Sequence, residues 1–401
     1  MIDFKSQKII IVTPWFGNFS GGAEYLAKSM ATELNKRGIE AIIFTTCCKS
    51  PNNDWWTDYY PEGKTVIENI LVYRFPTNKK SKLKHKLVVK KLINNDPLTE
   101  QEKTSFFIDG INSDKLVSSL KSFISDGYNV ISLPFFQGLT HSVVNAYPGK
   151  ISLIPCFHEE PQFYWNDVKK LLLNAKNIFF NSIEEKDMTI KNYGIDAGKK
   201  IIEGVVTGVG LEINQEKIKS NEFDIKQDYF IYVGRKDNGK NISLLCQWFV
   251  TYIKKYNKKA KIIFAGSGDH SLIPSNNQNF IDLGFVSESQ KYELIQNAKA
   301  LINLSYNESF SIVIMEAWLL KVPTIVYQKC DVTTGHSIRS NAGLYVENET
   351  EFCLSLKYIE DNPETARMMG LNGSDYVREE FSFDHVLSKY LLGLKKYENT
   401  Y

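Results

Sequence analysis

Runs of β-branched and aromatic residues alternate along the chain with stretches whose apolar positions recur every three to four residues. The first run, KIIIVT over 8–13, suits a strand buried on both faces, and a loop containing Gly17, Gly21 and Gly22 follows it. A helix is predicted over 23–37, closed by Gly38, and a second strand over 39–46 completes a βαβ unit with a right-handed crossover. Strands are then expected at 70–75, 129–133, 151–157, 177–181 and 200–206, with helices over 113–125 and 166–175. A polar stretch over 214–227 reads as a linker. Beyond it the alternation restarts with a strand over 229–233, a helix over 241–256, a strand over 261–265 and a Gly266-Ser267-Gly268 turn. It repeats with a strand over 281–283, a helix over 288–298 and a strand over 300–304. The fold class this predicts is doubly wound α/β, with two Rossmann-like domains.

The expected domains are 1–215 and 225–380, followed by a C-terminal helix over 381–401 that packs back on the first domain. Phe383, Val386, Leu387, Tyr390, Leu391 and Leu394 fit one helical stripe there. A length of 401 residues agrees, being too long for one ordinary core.

The stretch SYNESFSIVIMEAWLLKVPTIVY, 305–327, reads as strand, turn, helix, turn, strand. Glu308 precedes the helix and Glu316 lies inside it among apolar residues. An ionised carboxylate buried there costs several kcal/mol unless something pairs with it, so about that much rests on a partner for Glu316. Ser309 and Ser311 suit a helix start, where free backbone N–H groups and the helix dipole favour an anion such as a phosphate.

Residues 77–112 interrupt the alternation. They include KKSKLKHKLVVKKL, with seven lysines and His85 and no acid between Lys79 and Lys91. On a helix Leu83, Leu87 and either Val88 or Lys91 would share a face, so a basic amphipathic helix that meets an anionic membrane surface or an anionic acceptor is one reading. A solvated loop is the other. The apolar fraction of 43% and charged fraction of 23% are those of a globular protein, and a net charge of +2 gives no reason to expect nucleic acid as a partner. Six cysteines show neither metal spacing nor a disulfide framework, which points to a reducing compartment. The apolar run before Pro14 is too short for a signal, and no run reaches about eighteen apolar residues. The expectation is a cytoplasmic protein, peripheral at most on the inner face of the cell membrane.

Two facing α/β domains would bind ligands in a cleft at the carboxyl ends of their strands. Arg235 ends the first strand of the second domain and Lys240 stands five positions on, so both cations are expected to converge on one anion. Gly234-Arg235 with Lys240, Glu308-Ser309-Phe310-Ser311 with Glu316 eight positions after Glu308, AWLLKVPTIV, and the N-terminal Gly21-Gly22-Ala23-Glu24 together resemble the retaining GT-B glycosyltransferases of family 4. So does the segment NGSDYVREEFSFDHV, and the likeness is strongest over 229–383.

The resemblance implies two facing Rossmann-like domains with a central cleft, and a front-face, metal-independent transfer of a hexose with retention. The donor would be a UDP- or GDP-linked sugar acting as co-substrate, with no cofactor, and the acceptor a glycan or lipid-linked glycan in surface polysaccharide synthesis. Glu316 would bind the donor ribose, Arg235 and Lys240 its diphosphate, and Glu308 would lie at the transferred sugar. Backbone N–H groups over Ser309, Phe310 and Ser311 would complete that pocket, while Gly21 and Gly22 would form a phosphate or acceptor loop. His158, in CFHEEP, would point at the reaction centre. The family commonly has glycine where this chain has Ser311, whose side chain would narrow the space beside the sugar. A catalytically silent nucleotide-sugar binder that regulates another transferase is the alternative. A dinucleotide-dependent oxidoreductase is disfavoured, because GNFSGG does not give GxGxxG.

Overall fold

A computed structural model of the chain describes residues 6–17, 21–51, 53–214, 216, 218 and 229–396. These divide into two compact units. One comprises 1–210 and 386–401, the other 211–385.

The first unit contains β1 (Lys8–Val12), α1 (Gly22–Lys36), β2 (Glu40–Thr46), β3 (Gly63–Ile67), β4 (Ile70–Phe75), α2 (Lys82–Ile93), α3 (Glu100–Ile108) and α4 (Asp114–Ser125). It continues through β5 (Asn129–Ser132), α5 (Gly138–Ala146), β6 (Ile151–Leu153), α6 (Asn166–Asn174), β7 (Phe179–Phe180), α7 (Ile183–Glu203) and β8 (Val205–Val206). The main sheet runs β3-β4-β2-β1-β5-β6, parallel except for the β3–β4 pair. Helices cover its faces, so β1 reads as an uninterrupted apolar run with Ile9 to Val12 all buried.

The second unit contains β9 (Tyr229–Val233), α8 (Ile242–Lys255), β10 (Lys261–Ala265), β11 (Phe280–Gly284), α9 (Glu288–Gln296), β12 (Leu301–Asn303) and α10 (Ile312–Leu319). Then come β13 (Thr324–Tyr327), α11 (Asp331–Ser340), β14 (Gly343–Val346), α12 (Glu349–Asp361) and α13 (Pro363–Glu380). Its sheet, β11-β10-β9-β12-β13-β14, is parallel throughout. The strand order reverses direction between β9 and β12, and the loops leaving those strands define the switch point at which such sheets bind ligands. Helix α14 (Phe383–Lys396) begins in the second unit and from Val386 belongs to the first, where Tyr390 packs its ring 4.8 Å from that of Phe179.

Helix α13 packs against α10 through small residues. A Cβ at Gly373 would fall 2.4 Å from the Trp318 ring, and one at Gly370 would fall 1.9 Å from the Lys321 carbonyl oxygen.

Several expectations are corrected. The strand foreseen over 200–206 is the last turn of α7 followed by the short β8, with Ile201 buried and Ile202 exposed as one turn of helix requires. The polar segment 330–345 forms α11 and most of β14. Its hydroxyls bond back to preceding carbonyls, Ser337 donating to that of Thr333 at 2.8 Å and Thr333 to that of Cys330. The insertion is helical over α2 and α3, but Leu83 and Leu87 point outward while Val88 is buried, because His85, Val88 and Leu92 form the face that packs on Phe106, Phe107 and Trp165. Most of the linker expected over 214–227 lies outside the described residues.

Candidate active site

The β9 and β12 loops of the second unit hold most of the charged candidates. Val233 ends β9, and the chain turns through Gly234 to Asp237, whose side chain caps the turn by accepting the Lys240 N–H at 3.0 Å. Asn241 then takes a left-handed conformation, φ +56°, and donates through its amide to the Leu304 carbonyl at 2.7 Å, joining the two loops. Across that joint the Lys240 ammonium meets the Glu308 carboxylate at 2.7 Å. Burial alone would push the Glu308 carboxyl up. The Lys240 charge and the hydrogen bonds from Lys240 and Asn303 outweigh it and hold the carboxyl below the usual range.

Asn303 is a polar residue in an otherwise apolar strand. Its amide bridges Glu308 at 3.3 Å and the Ser311 hydroxyl at 3.0 Å, while its carbonyl takes the Ser305 N–H at 3.0 Å. Ser311, which precedes α10, has φ +68° and ψ 73°, and its side chain makes no capping bond to the helix. The start of α10 is thus left without a side-chain cap. For a residue with a Cβ the left-handed region costs about 1–2 kcal/mol, and the Asn303 bond helps to offset it. The Phe310 side chain is buried against His336 and Phe381, at ring separations of 5.3 and 4.9 Å, so only its backbone is available to a ligand.

Glu316 is buried as expected, and a protein side chain meets it. Lys291 of α9 pairs with it at 2.5 Å and the Tyr292 hydroxyl lies at 3.4 Å. Arg235 and Lys240 each pair with an acid of their own. Arg235 bonds Asp237 at 2.5 Å, with 61% of its side chain exposed, while Lys240 is committed to Glu308. Neither Lys291 nor Asn303 was singled out from sequence. A buried Glu in α10 signals that some cation must meet it, and an Asn within ALINLS signals a polar network, but neither identifies its partner.

The first unit positions the remaining candidates. Gly21 precedes α1 and Gly22 opens it. A Cβ at Gly21 would meet the Glu24 carboxylate at 2.0 Å, so glycine there lets Glu24 fold back over the helix start, where it accepts the Trp15 indole N–H. His158 follows β6 in a turn that Cys156 enters at φ +56°, and its Nδ1 lies 3.5 Å from the Glu160 carboxylate. Burial pushes the Glu160 carboxyl up to about 7. Glu185, wholly buried in the first turn of α7, accepts the Phe157 and Asn181 N–H groups at 2.6 Å each and so fixes the turn that carries His158. Burial pushes its carboxyl up to about 8 against those backbone bonds. Among the described residues no group of three or more His, Cys, Asp or Glu could hold a metal ion.

The two Rossmann-like units, the second carrying a lysine–carboxylate pair and an uncapped helix start at its switch point, have the GT-B fold. Residues 213–375 match the glycosyl transferases group 1 family. It is similar to the alpha-1,3/1,6-mannosyltransferase alg-2 of Neurospora crassa, 22% identical over 371 residues, or 81% of this chain and 76% of that protein. Among solved structures it resembles the sucrose-phosphate synthase of Thermosynechococcus elongatus, with a TM-score of 0.68, 14% identity and coverage of 98% of this chain and 100% of the other. It also resembles the trehalose-6-phosphate protein from E. coli bound with UDP-2-fluoro glucose, with a TM-score of 0.71, 10% identity and coverage of 97% and 99%.

Proposed function

We propose that this glycosyltransferase moves a hexose from a nucleotide diphospho-sugar to a glycan or lipid-linked glycan acceptor, with retention at the anomeric carbon and without a metal ion. The observation that carries the reading is the Lys240–Glu308 pair beside the uncapped start of α10, at the switch point of the second sheet. A departing diphosphate needs cations and oriented N–H groups, which are worth most where water is excluded. Lys240 and the α10 N-terminus would supply them. Arg235 would join them readily, because its exposed pair with Asp237 is worth only about 0–1 kcal/mol, while a charge-assisted bond to phosphate is worth about 1.5–3 kcal/mol. Glu308 and Ser311, joined through Asn303, would face the sugar, and Glu316, oriented by Lys291, the ribose hydroxyls. His158 would point at the reaction centre. A lipid-linked acceptor would bring the enzyme to a membrane surface, and surface polysaccharide synthesis is the setting that fits such an acceptor.

The resemblance to a mannosyltransferase and to a protein bound with UDP-2-fluoro glucose sets the first donors to try. Purified protein is incubated with UDP- and GDP-linked glucose and mannose and an oligosaccharide acceptor, with EDTA present, and the anomeric configuration of the product is read by NMR. Transfer with retention and loss of most activity in Arg235→Ala are expected. An inverted product, or activity abolished by EDTA and restored by a divalent ion, would overturn the reading.

A further inference from the structure

The insertion between β4 and α4 leaves one surface that the transfer reaction does not use. Helix α2 lies on the first unit by the face that carries His85, Val88 and Leu92, and its opposite face has no protein element against it among the described residues. At about 100° per residue, Leu83, Leu87 and Lys90 fall on one stripe, with Lys86 and Ile93 beside it and Lys84 on the other flank. The aliphatic members stand well out of the protein: Leu83 is 70% exposed, Leu87 54% and Ile93 75%.

The charges sort in the same way. Lysines at the base of the insertion are neutralised: Lys79 by Asp58 at 2.8 Å, Lys82 by Asp54 at 2.6 Å and Lys91 by Glu102 at 2.5 Å. Lys84, Lys86 and Lys90, around the exposed leucines, have no carboxylate within ion-pair distance among the described residues. No acid occurs within α2 itself. A solvated helix has no reason to expose three large aliphatic side chains in the middle of its unpaired lysines. That combination matches an interfacial helix, whose aliphatic side chains enter the acyl boundary while lysine stems reach back to anionic headgroups.

We infer that the outer face of α2 is a docking surface for an anionic lipid bilayer. The inference rests on α2 alone and stands whether or not the acceptor proves to be lipid-linked. A juxtamembrane lysine contributes roughly fivefold in binding, from about 1 kcal/mol each, so three contribute on the order of a hundredfold.

The test is cosedimentation of the full chain with phosphatidylglycerol–phosphatidylcholine vesicles and with pure phosphatidylcholine vesicles. Binding to the anionic vesicles is expected, weakening as salt shortens the Debye length from about 10 Å at 0.1 M to about 3 Å at 1 M. The triple variant Lys84→Gln, Lys86→Gln, Lys90→Gln should lose about a hundredfold in affinity. A second triple variant, Leu83→Ser, Leu87→Ser, Ile93→Ser, should bind more weakly with the same salt dependence. Both change exposed positions only, and an unaltered thermal melt confirms that they fold. Equal sedimentation with the two vesicle types, or full anionic binding by the lysine variant, overturns the inference. Failure to bind vesicles while soluble acceptors are still glycosylated would refute the docking surface and leave the proposed transfer intact.

Discussion

Replacing Lys240 by methionine would test whether the switch-point pair is an electrostatic unit. The side chains of Lys240 and Glu308 are 25% and 15% exposed, and their charged atoms lie 2.7 Å apart. Removing one partner of a buried pair costs about 3–5 kcal/mol, mainly through the charge left behind, and the partial exposure of Lys240 places the expected loss near the lower end, about 3 kcal/mol. For a unit of this size that is roughly 6–12 °C in melting temperature. The pH dependence is the more specific signature. In the native protein Glu308 has its pKa held below the ordinary 4.5, so the stability it contributes is present above 4.5 and is lost as pH falls through the lowered folded value. In Lys240→Met only burial remains as the dominant influence, which raises the folded pKa above 4.5. The penalty is then greatest above that raised value and fades as acid neutralises the carboxylate. Both effects narrow the gap between native protein and variant on acidification. Thermal melts followed by circular dichroism at about pH 8 and about pH 4 measure the gap, and Lys240→Met combined with Glu308→Gln should recover most of the loss at the higher pH. A gap unchanged between the two pH values, or a double variant no more stable than the single one, would refute the reasoning.

Other perturbations follow from the same kind of accounting. Lys291→Met removes the cation paired with Glu316 and leaves it the Tyr292 hydroxyl, so a loss of about 3 kcal/mol in chemical denaturation is expected, largely reversed by adding Glu316→Gln. Glu160, pushed up to about 7, holds its proton longer in the native chain than in the unfolded one, so its contribution to stability falls as pH rises from 4.5 through about 7; Glu160→Gln should be more stable than the native protein at pH values above that window, as pH-dependent melts would show. His85 is held down to about 4 by burial among Trp55, Trp56 and Phe106, so stability is lost as pH falls from 6.5 to about 4, and His85→Phe should flatten that part of the profile. Gly373→Ala places a methyl group against the Trp318 ring and should cost about 1–3 kcal/mol, read from urea denaturation.

The β/α alternation is legible because strands buried on both faces must be continuous apolar runs, as KIIIV and YFIYV are, while their helices keep a 3.6-residue period. Helix α7 escapes this reading because Ile201, Ile202, Val205 and Val206 around Gly204 mimic a strand, though a helix ends and a strand begins within them. Helix α11 escapes for a different reason: its serines and threonines carry a turn-like composition, and only the hydroxyl bonds back to its own carbonyls reveal the helix. Site residues at the ends of strands, such as Lys240 and Glu308, stand out as charges at the close of apolar runs. Lys291 does not, because a lysine on an amphipathic helix looks the same whether it faces water or a buried carboxylate. That Arg235 and Lys240 each pair with a nearby acid is a matter of loop geometry, which spacing alone does not encode.

The glycine face of α13 has a consequence for how ligand affinity is set. With Gly370 and Gly373 letting α13 close on Trp318, α10 is held between that helix and strands β12 and β13. Its first turn is therefore placed during folding, and a ligand meeting those N–H groups would find them already aimed. The ordering cost that a mobile anion-binding loop would levy on each binding event is transferred to the stability of the unit itself. Substitutions on the glycine face of α13, such as Gly370→Ala, should accordingly weaken donor affinity in proportion to how far they loosen α10.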